Sequence, residues 1–536
     1  MKKNNVLKIL FIISLFHCIE VWGGNFHKDT PKLKKSTKSN IKQTRPNILF
    51  IPIDDLRPEM GCYGNKVIKT PNMDKLAARG VVFNRAYCQQ AVCNPSRASL
   101  LTGLRPDSVR VWDLQTDFRK NLPDAVTLPQ IFKNNGYYTV GIGKTFHNIF
   151  PDNKSWNEEL HVNGFPFDPD AVYQLEKNKM IQREKELNLQ KVGKGKPDVY
   201  GFIYTKAHSV EMADVDDDAY YDGAQTTMAI QKLKELKRKD KPFFFSVGYY
   251  RPHLPFNAPK KYWDLYNRND IPLAKNQFIP ENAPEFAVHG DAELRGYTDR
   301  SDLPLPSEKP YDLEKQKEIL HAYYASVSYT DAQIGRLLKA LDELGLSENT
   351  IIVLWGDHGW KLGEHNSWCK QSNYEIDTRV PLIISGAGVK AKGKSSNALT
   401  EFVDIYPTLC DMSGIKIPDY LQGTSMKPLL SDSDRKWKTA AYSQFLLGRY
   451  GVKAKGGQNV ERMGYAIRTD RYRYVEWFEW NKETEKPGDY LARELYDHKN
   501  DPDENINIAE EVPSKKIVNQ LSLQLKKGWR YSKPKS

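Results

Sequence analysis

Cysteine is scarce in this sequence. The 536 residues include six cysteines, at positions 18, 62, 88, 93, 369 and 410. Disulfide-stapled secreted domains are short and dense in cysteine, so this chain does not depend on a disulfide framework for its stability. One bridge among Cys62, Cys88, Cys369 and Cys410 stays open, because the sequence does not say which pair would form it.

Long apolar runs are lacking as well. The run at 9–16 is too short to cross a bilayer, so we expect no integral membrane span. Lysines precede this run and small residues follow it, which is typical of a secretory signal peptide over 1–23. We therefore expect export to the periplasm, the cell surface or the medium. Lipoprotein anchoring through Cys18 is the alternative, which the preceding His17 disfavours.

A strong charge of one sign is missing from the part of the chain that we expect to fold. The formal net charge is +12, and residues 1–45 carry +8 of it, which leaves +4 for the remainder. Such a mild excess of positive charge suits an anionic substrate. The sequence has no basic face interleaved with aromatic residues, so it does not indicate nucleic-acid binding. The lysine-rich segment 24–44 has no periodicity and is predicted to be a disordered tether.

Four nearly continuous apolar runs dominate what is present, at 47–53, 137–142, 243–247 and 350–355. Such runs are typical of strands buried on both faces of a parallel sheet. The sequence therefore predicts an α/β fold over 45–430, with a large, mostly parallel central sheet flanked by helices.

Two further patterns complete the predicted architecture. Apolar residues at helical spacing over 314–346 predict a packing helix, with a break near Asp331. Residues 465–469 and 472–477 alternate as antiparallel strands do, and a closing amphipathic helix follows them. A smaller C-terminal α+β subdomain built on an antiparallel sheet is expected over 431–536.

Polar residues follow several of the buried strands. Asp54 and Asp55 come directly after the first strand and Asp357 after the last, where open α/β sheets bind ligands. A helix N-cap or turn explains the aspartate pair equally well. Lys144 and His147 follow the second strand, and taken alone they are a solvated charge and a satisfied loop histidine.

The stretch Cys93-Asn94-Pro95-Ser96-Arg97 stands apart from these strand ends. A helical continuation puts Cys93 and Arg97 on one face, and a helix N-terminus beside a guanidinium is an anion site. The thiol there could be a nucleophile of lowered pKa or merely a small buried side chain. The pentapeptide alone favours the second interpretation.

Three acids at one sheet edge need a positive counter-charge. Asp54, Asp55 and Asp357 would repel one another unless a cation lay among them. Oxygen ligands with an imidazole favour a hard divalent ion, Ca²⁺ or Mg²⁺, over a thiolate zinc site.

The motifs together resemble a known family. The pattern C-x-P-S-R followed by L-L-T-G at 93–103 resembles the signature of the type I, formylglycine-dependent sulfatases. The strand-end motifs follow in the same order as in that family. Four further motifs are similar in sequence to those of its iduronate-2-sulfatase branch in particular. They are G-Y-x-x-P-H-x-P-F, S-x-S-Y-x-D, D-H-G-W-x-L-G-E-H and M-G-Y-x-I-R-T.

The resemblance implies a fold, two non-protein components and a set of residue roles. The fold would be the alkaline-phosphatase-like sulfatase fold. Cys93 would be oxidised to formylglycine by a maturation enzyme, and the ion would be calcium rather than magnesium. The metal ligands would be Asp54, Asp55, Cys93, Asp357 and His358, and the catalytic residues Cys93, Arg97, Lys144, His147, His253 and Lys370.

Two neighbours of these residues have different implied roles. Glu364 and His365 would support the structure around the site. Lys361 departs from the family pattern, where a small residue is expected, and is interpreted as a solvated loop charge or an extra substrate contact.

The implied function is hydrolysis of sulfate esters on sulfated oligosaccharides, exo-acting on 2-O-sulfated uronic acids. One alternative is a phosphatase or phosphonate hydrolase of the same superfamily. Another is a glycan-binding relative that keeps the fold without turnover.

Overall fold

The apolar runs of the sequence become the middle strands of one large sheet. The computed structural model of the chain describes residues 45–147, 150–162, 169–194, 205–288, 290–448 and 461–534. The predicted signal peptide, the predicted tether and Cys18 lie outside these residues. The strands, in chain order, are β1 (Asn47–Ile53), β2 (Gly80–Phe83), β3 (Ala86–Tyr87), β4 (Tyr138–Gly143), β5 (Glu158–Leu160), β6 (Val210–Ala213), β7 (Phe243–Gly248), β8 (Phe256–Pro259), β9 (Thr350–Gly356), β10 (Arg379–Val380), β11 (Leu382–Gly386), β12 (Lys394–Ser396), β13 (Thr400–Glu401), β14 (Ala441–Leu447), β15 (Arg462–Arg468), β16 (Tyr472–Asn481) and β17 (Lys486–Asp497).

Helices connect and cover these strands. They are α1 (Pro71–Ala78), α2 (Cys93–Thr102), α3 (Pro106–Val109), α4 (Phe118–Asn121), α5 (Leu128–Asn134), α6 (Pro169–Val172), α7 (Glu176–Lys191), α8 (Tyr221–Lys237), α9 (Lys260–Trp263), α10 (Ala292–Arg295), α11 (Leu313–Glu343), α12 (Glu375–Thr378), α13 (Ile405–Met412) and α14 (Lys515–Lys527).

The central sheet has eight strands in the order β12-β2-β11-β9-β1-β7-β4-β5. Strand β1 pairs in parallel with both β7 and β9, and β4 pairs in parallel with β7 and β5. Strand β11 runs antiparallel to β9 and β2. The predicted mostly parallel sheet is confirmed, and the carboxyl ends of β1, β4, β7 and β9 lie at the same edge.

Successive side chains of β1 point into two different apolar layers. Leu49 and Ile51 pack with residues of α1, α8 and α11 on one face of the sheet. Ile48 and Phe50 pack with residues of α2, α5 and α13 on the other face. Because both faces are covered, the strand has no room for polar side chains until it ends, which explains its continuous apolar run.

Helix α11 corrects one detail of the predicted architecture. It runs without interruption from Leu313 to Glu343, so the predicted break near Asp331 is wrong. Asp331 is buried and points to the first turn of α1, where it accepts hydrogen bonds from the backbone nitrogens of Asn72 and Met73. The aspartate therefore joins two helices instead of ending one.

The C-terminal part forms the expected antiparallel sheet, in the order β14-β15-β16-β17. Helix α14 covers one face of it, where Val518 and Leu521 pack with Ile467 and Tyr474. Residues 44–536 cluster as one compact unit, and the boundary between residues 430 and 431 stays a prediction.

The structure also bears on the cysteines and on membrane insertion. Cys62, Cys88, Cys369 and Cys410 are free, so none of the bridges left open by the sequence forms among them. Over the residues that the structure describes, no helix has both the length and the apolar character that crossing a bilayer requires.

Candidate active site

Four neighbouring strands deliver the predicted site residues to one edge of the central sheet. Asp54 and Asp55 follow β1, and Asp357 and His358 follow β9. Lys144 follows β4, and the loop after β7 carries His253. These strands are adjacent and parallel, so side chains from four distant parts of the chain meet.

Helix α2 brings the thiol to the same place. Cys93 is its first residue, after the extended Val92, and the whole helix is buried. The Cys93 Sγ atom lies 3.2 Å from Nε2 of His358. Burial raises the pKa of the Cys93 thiol well above its usual value, and the Asp54 carboxylate raises it further. A thiol in these surroundings is a weak nucleophile, because the thiolate is the reactive form.

The three predicted acids converge, and none of them is exposed to solvent. The Asp55 backbone N–H donates to Oδ1 of Asp357 over 3.1 Å, and Asp55 itself has a left-handed φ of 58°. Ligand atoms of Asp54, Cys93, Asp357 and His358 all lie within 4.8 Å of one another.

A second grouping at the same spacing contains Asp54, Asp55, Cys93 and His253. The two groupings share Asp54 and Cys93, so together they describe one candidate metal centre. Its donors are mainly carboxylate oxygens, which a hard divalent ion prefers, together with imidazole nitrogens beside position 93.

The pKa values of Asp54 and Asp55 show that the buried charges of this centre affect one another strongly. Burial raises the pKa of Asp55 to about 7, and the neighbouring Asp54 raises it against the opposing effect of Lys370. Burial would also raise the pKa of Asp54, but Lys144, His253 and Arg97 outweigh it and hold that pKa well below its usual value. A cation among these oxygens would stabilise the ionised form of Asp55, so the residues fit a bound metal.

Arg97 lies behind the carboxylates, one helical turn after Cys93. Its Nε donates to Asp357 Oδ2 over 2.9 Å and its Nη2 to Asp54 Oδ1 over 3.1 Å. Its guanidinium carbon lies 5.5 Å from the ring centroid of Trp355. These contacts fix the guanidinium as a buried counter-charge that orients both aspartates.

Two lysines flank the aspartate pair. The Lys144 ammonium contacts Oδ2 of Asp54, and Lys370 Nζ lies 2.9 Å and 3.0 Å from the two carboxylate oxygens of Asp55. Both lysines are almost fully buried. Burial alone would lower the pKa of Lys370, but Asp55, Cys93 and Glu293 raise it well above its usual value, so the side chain is an ammonium.

The histidines at the edge of the centre differ in their surroundings. His147 Nδ1 is buried and has no hydrogen-bond partner among the described residues. Burial and the Lys144 ammonium hold the pKa of His147 well below its usual value, so its imidazole is neutral. His253 Nδ1 donates to the carbonyl oxygen of Leu254 over 2.6 Å, which directs Nε2 toward the acids.

Sequence reasoning missed one residue of this centre, Glu293. Its Oε1 lies 3.0 Å from Nε2 of His253, and its Oε2 lies 2.9 Å from Nζ of Lys370. Helix α10, which carries it, has four residues and no apolar periodicity, and both partners are distant along the chain. No local signal in the sequence could have found it.

Lys361 corrects the interpretation made from the sequence. It is fully buried, and its ammonium contacts the equally buried carboxylate of Asp377. It is therefore not a solvated loop charge. Glu364 pairs with Arg57 and His365 bonds to the carbonyl of Asp503, which agrees with the supporting roles expected of both.

Comparison with known protein families identifies two matches. A family described as Sulfatase matches residues 46–415. A second, described as N-sulphoglucosamine sulphohydrolase, C-terminal, matches residues 363–530.

Individual relatives match over most of their length. Iduronate 2-sulfatase of Homo sapiens is 32% identical, with 89% of this chain and 93% of that protein covered. Protein BT4656, solved in complex with its substrate D-glucosamine-2-N,6-O-disulfate, has a TM-score of 0.68 at 25% identity and covers 90% of this chain and 97% of its own. A phosphonate monoester hydrolase of Agrobacterium radiobacter has a TM-score of 0.67 at 24% identity, with 90% and 95% covered, which shows a shared fold.

Proposed function

Because this chain belongs to the sulfatase family, we propose that it is an exported, exo-acting enzyme that removes sulfate esters from fragments of sulfated polysaccharides such as glycosaminoglycans. As a member of that family it is a sulfuric ester hydrolase. We assign its preference to 2-O-sulfated uronic acids of the iduronate 2-sulfate kind. The 32% identity with the human protein named for that substrate supports the assignment.

One observation carries the proposal more than any other. Asp54, Asp55 and Asp357 meet, fully buried, beside the first residue of the helix that begins with Cys93. Such a cluster serves an ester hydrolase because it can hold a cation against the anionic group that is transferred.

Two components that the family uses would complete the centre. Calcium is the ion we propose, with magnesium as the alternative, held by Asp54, Asp55, Asp357, His358 and the residue at position 93. A bound divalent ion would draw negative charge from the sulfate oxygens. Formylglycine at position 93, made from Cys93 by a maturation enzyme, would supply an oxygen nucleophile as its hydrate. The raised pKa of the unmodified thiol supports a chemistry that does not use thiolate.

The chain's own side chains would bind the ester and move protons. Arg97 would orient Asp54 and Asp357, and Lys144 would contact a sulfate oxygen. His253 and Lys370 would give a proton to the sugar oxygen as its bond to sulfur breaks. His147, neutral in its buried position, would take a proton when sulfate is released.

The proposal is tested by substitution of Cys93. Cys93→Ala is expected to reduce sulfate release from defined 2-O-sulfated uronides to background, while glycan binding is retained. Cys410→Ala, which removes a buried thiol of α13, is the matched control and should keep activity. A peptide mass over position 93, taken from protein of the native host, should show the aldehyde or its hydrate.

Other outcomes would identify the alternatives. Faster turnover of matched phosphate or phosphonate esters than of sulfate esters would favour the phosphonate-hydrolase alternative. Glycan binding without sulfate release, from protein whose position 93 is an unmodified thiol, would favour a non-catalytic relative. Loss of activity in chelator, restored better by calcium than by magnesium, would support the ion that we propose.

A further inference from the structure

Glu293 is an acid in a centre that already holds three. The proposed substrate is an anion, so each added carboxylate near it opposes binding electrostatically. Its side chain is 18% exposed, and α10, the helix that carries it, lies outside the central sheet. A carboxylate in this place needs an explanation in terms of what it holds.

Its two oxygens contact two different groups. Oε1 lies 3.0 Å from Nε2 of His253, and Oε2 lies 2.9 Å from Nζ of Lys370. These are the side chains to which we assigned protonation of the departing sugar oxygen. Lys370 is bound from its other side by Asp55, at 2.9 Å. Glu293 therefore holds the ammonium against the pull of a carboxylate in the metal centre.

The support of Glu293 is itself connected to Lys370. Asp291, one residue before α10, accepts a hydrogen bond from the Trp368 backbone N–H over 2.9 Å. The Lys206 ammonium binds the Glu293 carbonyl oxygen over 2.7 Å. The helix that carries Glu293 is thus hydrogen-bonded to the segment that carries Lys370, and these two contacts hold Glu293 in position.

We infer that Glu293 is the positioning residue of the leaving-group acids, which keeps His253 and Lys370 together on the side of the site where the sugar oxygen departs. The inference rests on the proposed function. Glu293 touches neither the sulfate nor the nucleophile in this role and acts through the two groups that it bridges.

The role predicts a dependence on the leaving group. A sugar alkoxide is a poor leaving group and needs a proton as the bond to sulfur breaks, whereas a nitrophenolate leaves as a stable anion without one. A change that only displaces the acids should slow sugar sulfates and spare aryl sulfates. A change that damages the fold, the metal centre or position 93 should slow both.

The test uses Glu293→Gln, which keeps the shape and removes the charge. We expect kcat on a 2-O-sulfated uronide to fall by at least about tenfold, since a positioned acid contributes on the order of a hundredfold or more. Activity on 4-nitrophenyl sulfate should change by less than about threefold. Glu293→Asp, which keeps the charge on a shorter side chain, should recover part of the uronide activity.

A matched control separates this effect from loss of a buried ion pair. Glu364 is also 18% exposed and pairs with Arg57 instead of with His253 or Lys370, and Glu364→Gln should lower the melting temperature without altering the ratio of the two activities. A crystal structure of Glu293→Gln gives a readout independent of turnover. In it, Lys370 should turn toward Asp55 and away from His253.

Three results would overturn the inference: equal losses on the two substrates, no loss on either, or an unchanged arrangement of His253 and Lys370 in the variant. Failure of the proposed function looks different, because there the wild-type protein releases no sulfate from any uronide. The crystallographic readout would still decide the position of the two side chains in that case.

Discussion

Lys361 and Asp377 form a buried ion pair next to the segment that carries Lys370, because the Lys361 backbone N–H donates to the Cys369 carbonyl oxygen over 2.7 Å. The Lys361 ammonium and the Asp377 carboxylate are both 0% exposed and in contact. Ser372 joins them, 3.0 Å from the ammonium and 2.5 Å from the carboxylate. Two charges removed from water are stable only as long as both are present, because either one alone would be left unpaired.

Removing one partner should therefore be worse than removing both. Lys361→Ala, which introduces a small residue, is expected to lower the free energy of unfolding by about 3–5 kcal/mol. The double variant Lys361→Ala with Asp377→Ala should be more stable than that single variant. Denaturant unfolding in calcium-saturated buffer measures both values.

The control for this pair is a surface ion pair. Lys427 is 51% exposed and pairs with Asp411, so Lys427→Ala should change the free energy of unfolding by less than about 1 kcal/mol. If Lys361→Ala were no more destabilising than this control, the buried ion pair would not stabilise the fold.

The same residues show what the sequence could predict of the site. Asp54 and Asp357 were predictable because they directly follow buried strands, and parallel strands end at one edge. Lys144 also follows a strand, but only the family resemblance implied a role for it in the site. Glu293 was not, because its partners lie 40 and 77 positions away in the sequence and its helix has no pattern. Lys361 was misinterpreted because a charge in a loop gives no sign of its burial.

Helix α11 is joined to α1 by residues that are 258 and 259 positions apart in the sequence. Asp331, in its middle, accepts hydrogen bonds of 3.1 Å from Asn72 N and 2.7 Å from Met73 N. These donors belong to the first turn of α1, whose backbone N–H groups have no partner within their own helix. The aspartate thus caps another helix from within its own.

Substitution of Asp331 predicts a pH effect on stability. Burial raises the pKa of Asp331 to about 6 from an ordinary 3.8. The unfolded chain therefore ionises first as the pH rises, and this group's contribution to stability falls between about pH 4 and 6, then levels off. The fall should be up to about 3 kcal/mol, and Asp331→Asn should lack it, because the amide does not titrate there.

Measuring the urea midpoints of wild type and variant at pH 4, 5, 6 and 7 gives the difference. It should move in favour of the variant as the pH rises to about 6. Asp342→Asn, a change on the exposed part of the same helix, should show no such trend. A constant difference for Asp331→Asn across this range would contradict the prediction.

The elements themselves were predictable to different degrees. The strands β1, β4, β7 and β9 were found because burial on both faces leaves a long apolar run. Strands of two to four residues, such as β3 and β13, are too short to carry a pattern and depend on contacts from distant segments. The break expected in α11 was wrong because backbone N–H groups of α1 donate hydrogen bonds to the buried Asp331 and stabilise it within the helix. The local sequence gives no sign of this contact.

The C-terminal sheet contacts two segments that carry residues of the candidate site. One of its faces packs with Val92, the residue before Cys93, through side chains that include Phe445 and Trp477. Arg473, 1% exposed, donates from its Nη1 to the Asn373 carbonyl oxygen over 2.8 Å, three residues after Lys370. Both the helix start and the lysine segment thus rest on this sheet.

This support predicts that the sheet and the catalytic part unfold together. Calorimetry of the protein in calcium-containing buffer should show a single transition for residues 44–536, which cluster as one unit. Arg473 also pairs with Glu375 and Glu504, so Arg473→Ala removes one cationic partner from each carboxylate, leaves them to Arg468 and His498, and should lower stability by about 3–5 kcal/mol. The single transition should move to lower temperature without splitting, and sulfate release should be lost at that same temperature.

Arg493→Ala, which breaks an exposed pair with Glu510, should leave the transition nearly unchanged. Two separate transitions in the wild-type protein, or activity that survives the melting of the C-terminal sheet, would mean that this sheet is an independent domain and that the site does not need it.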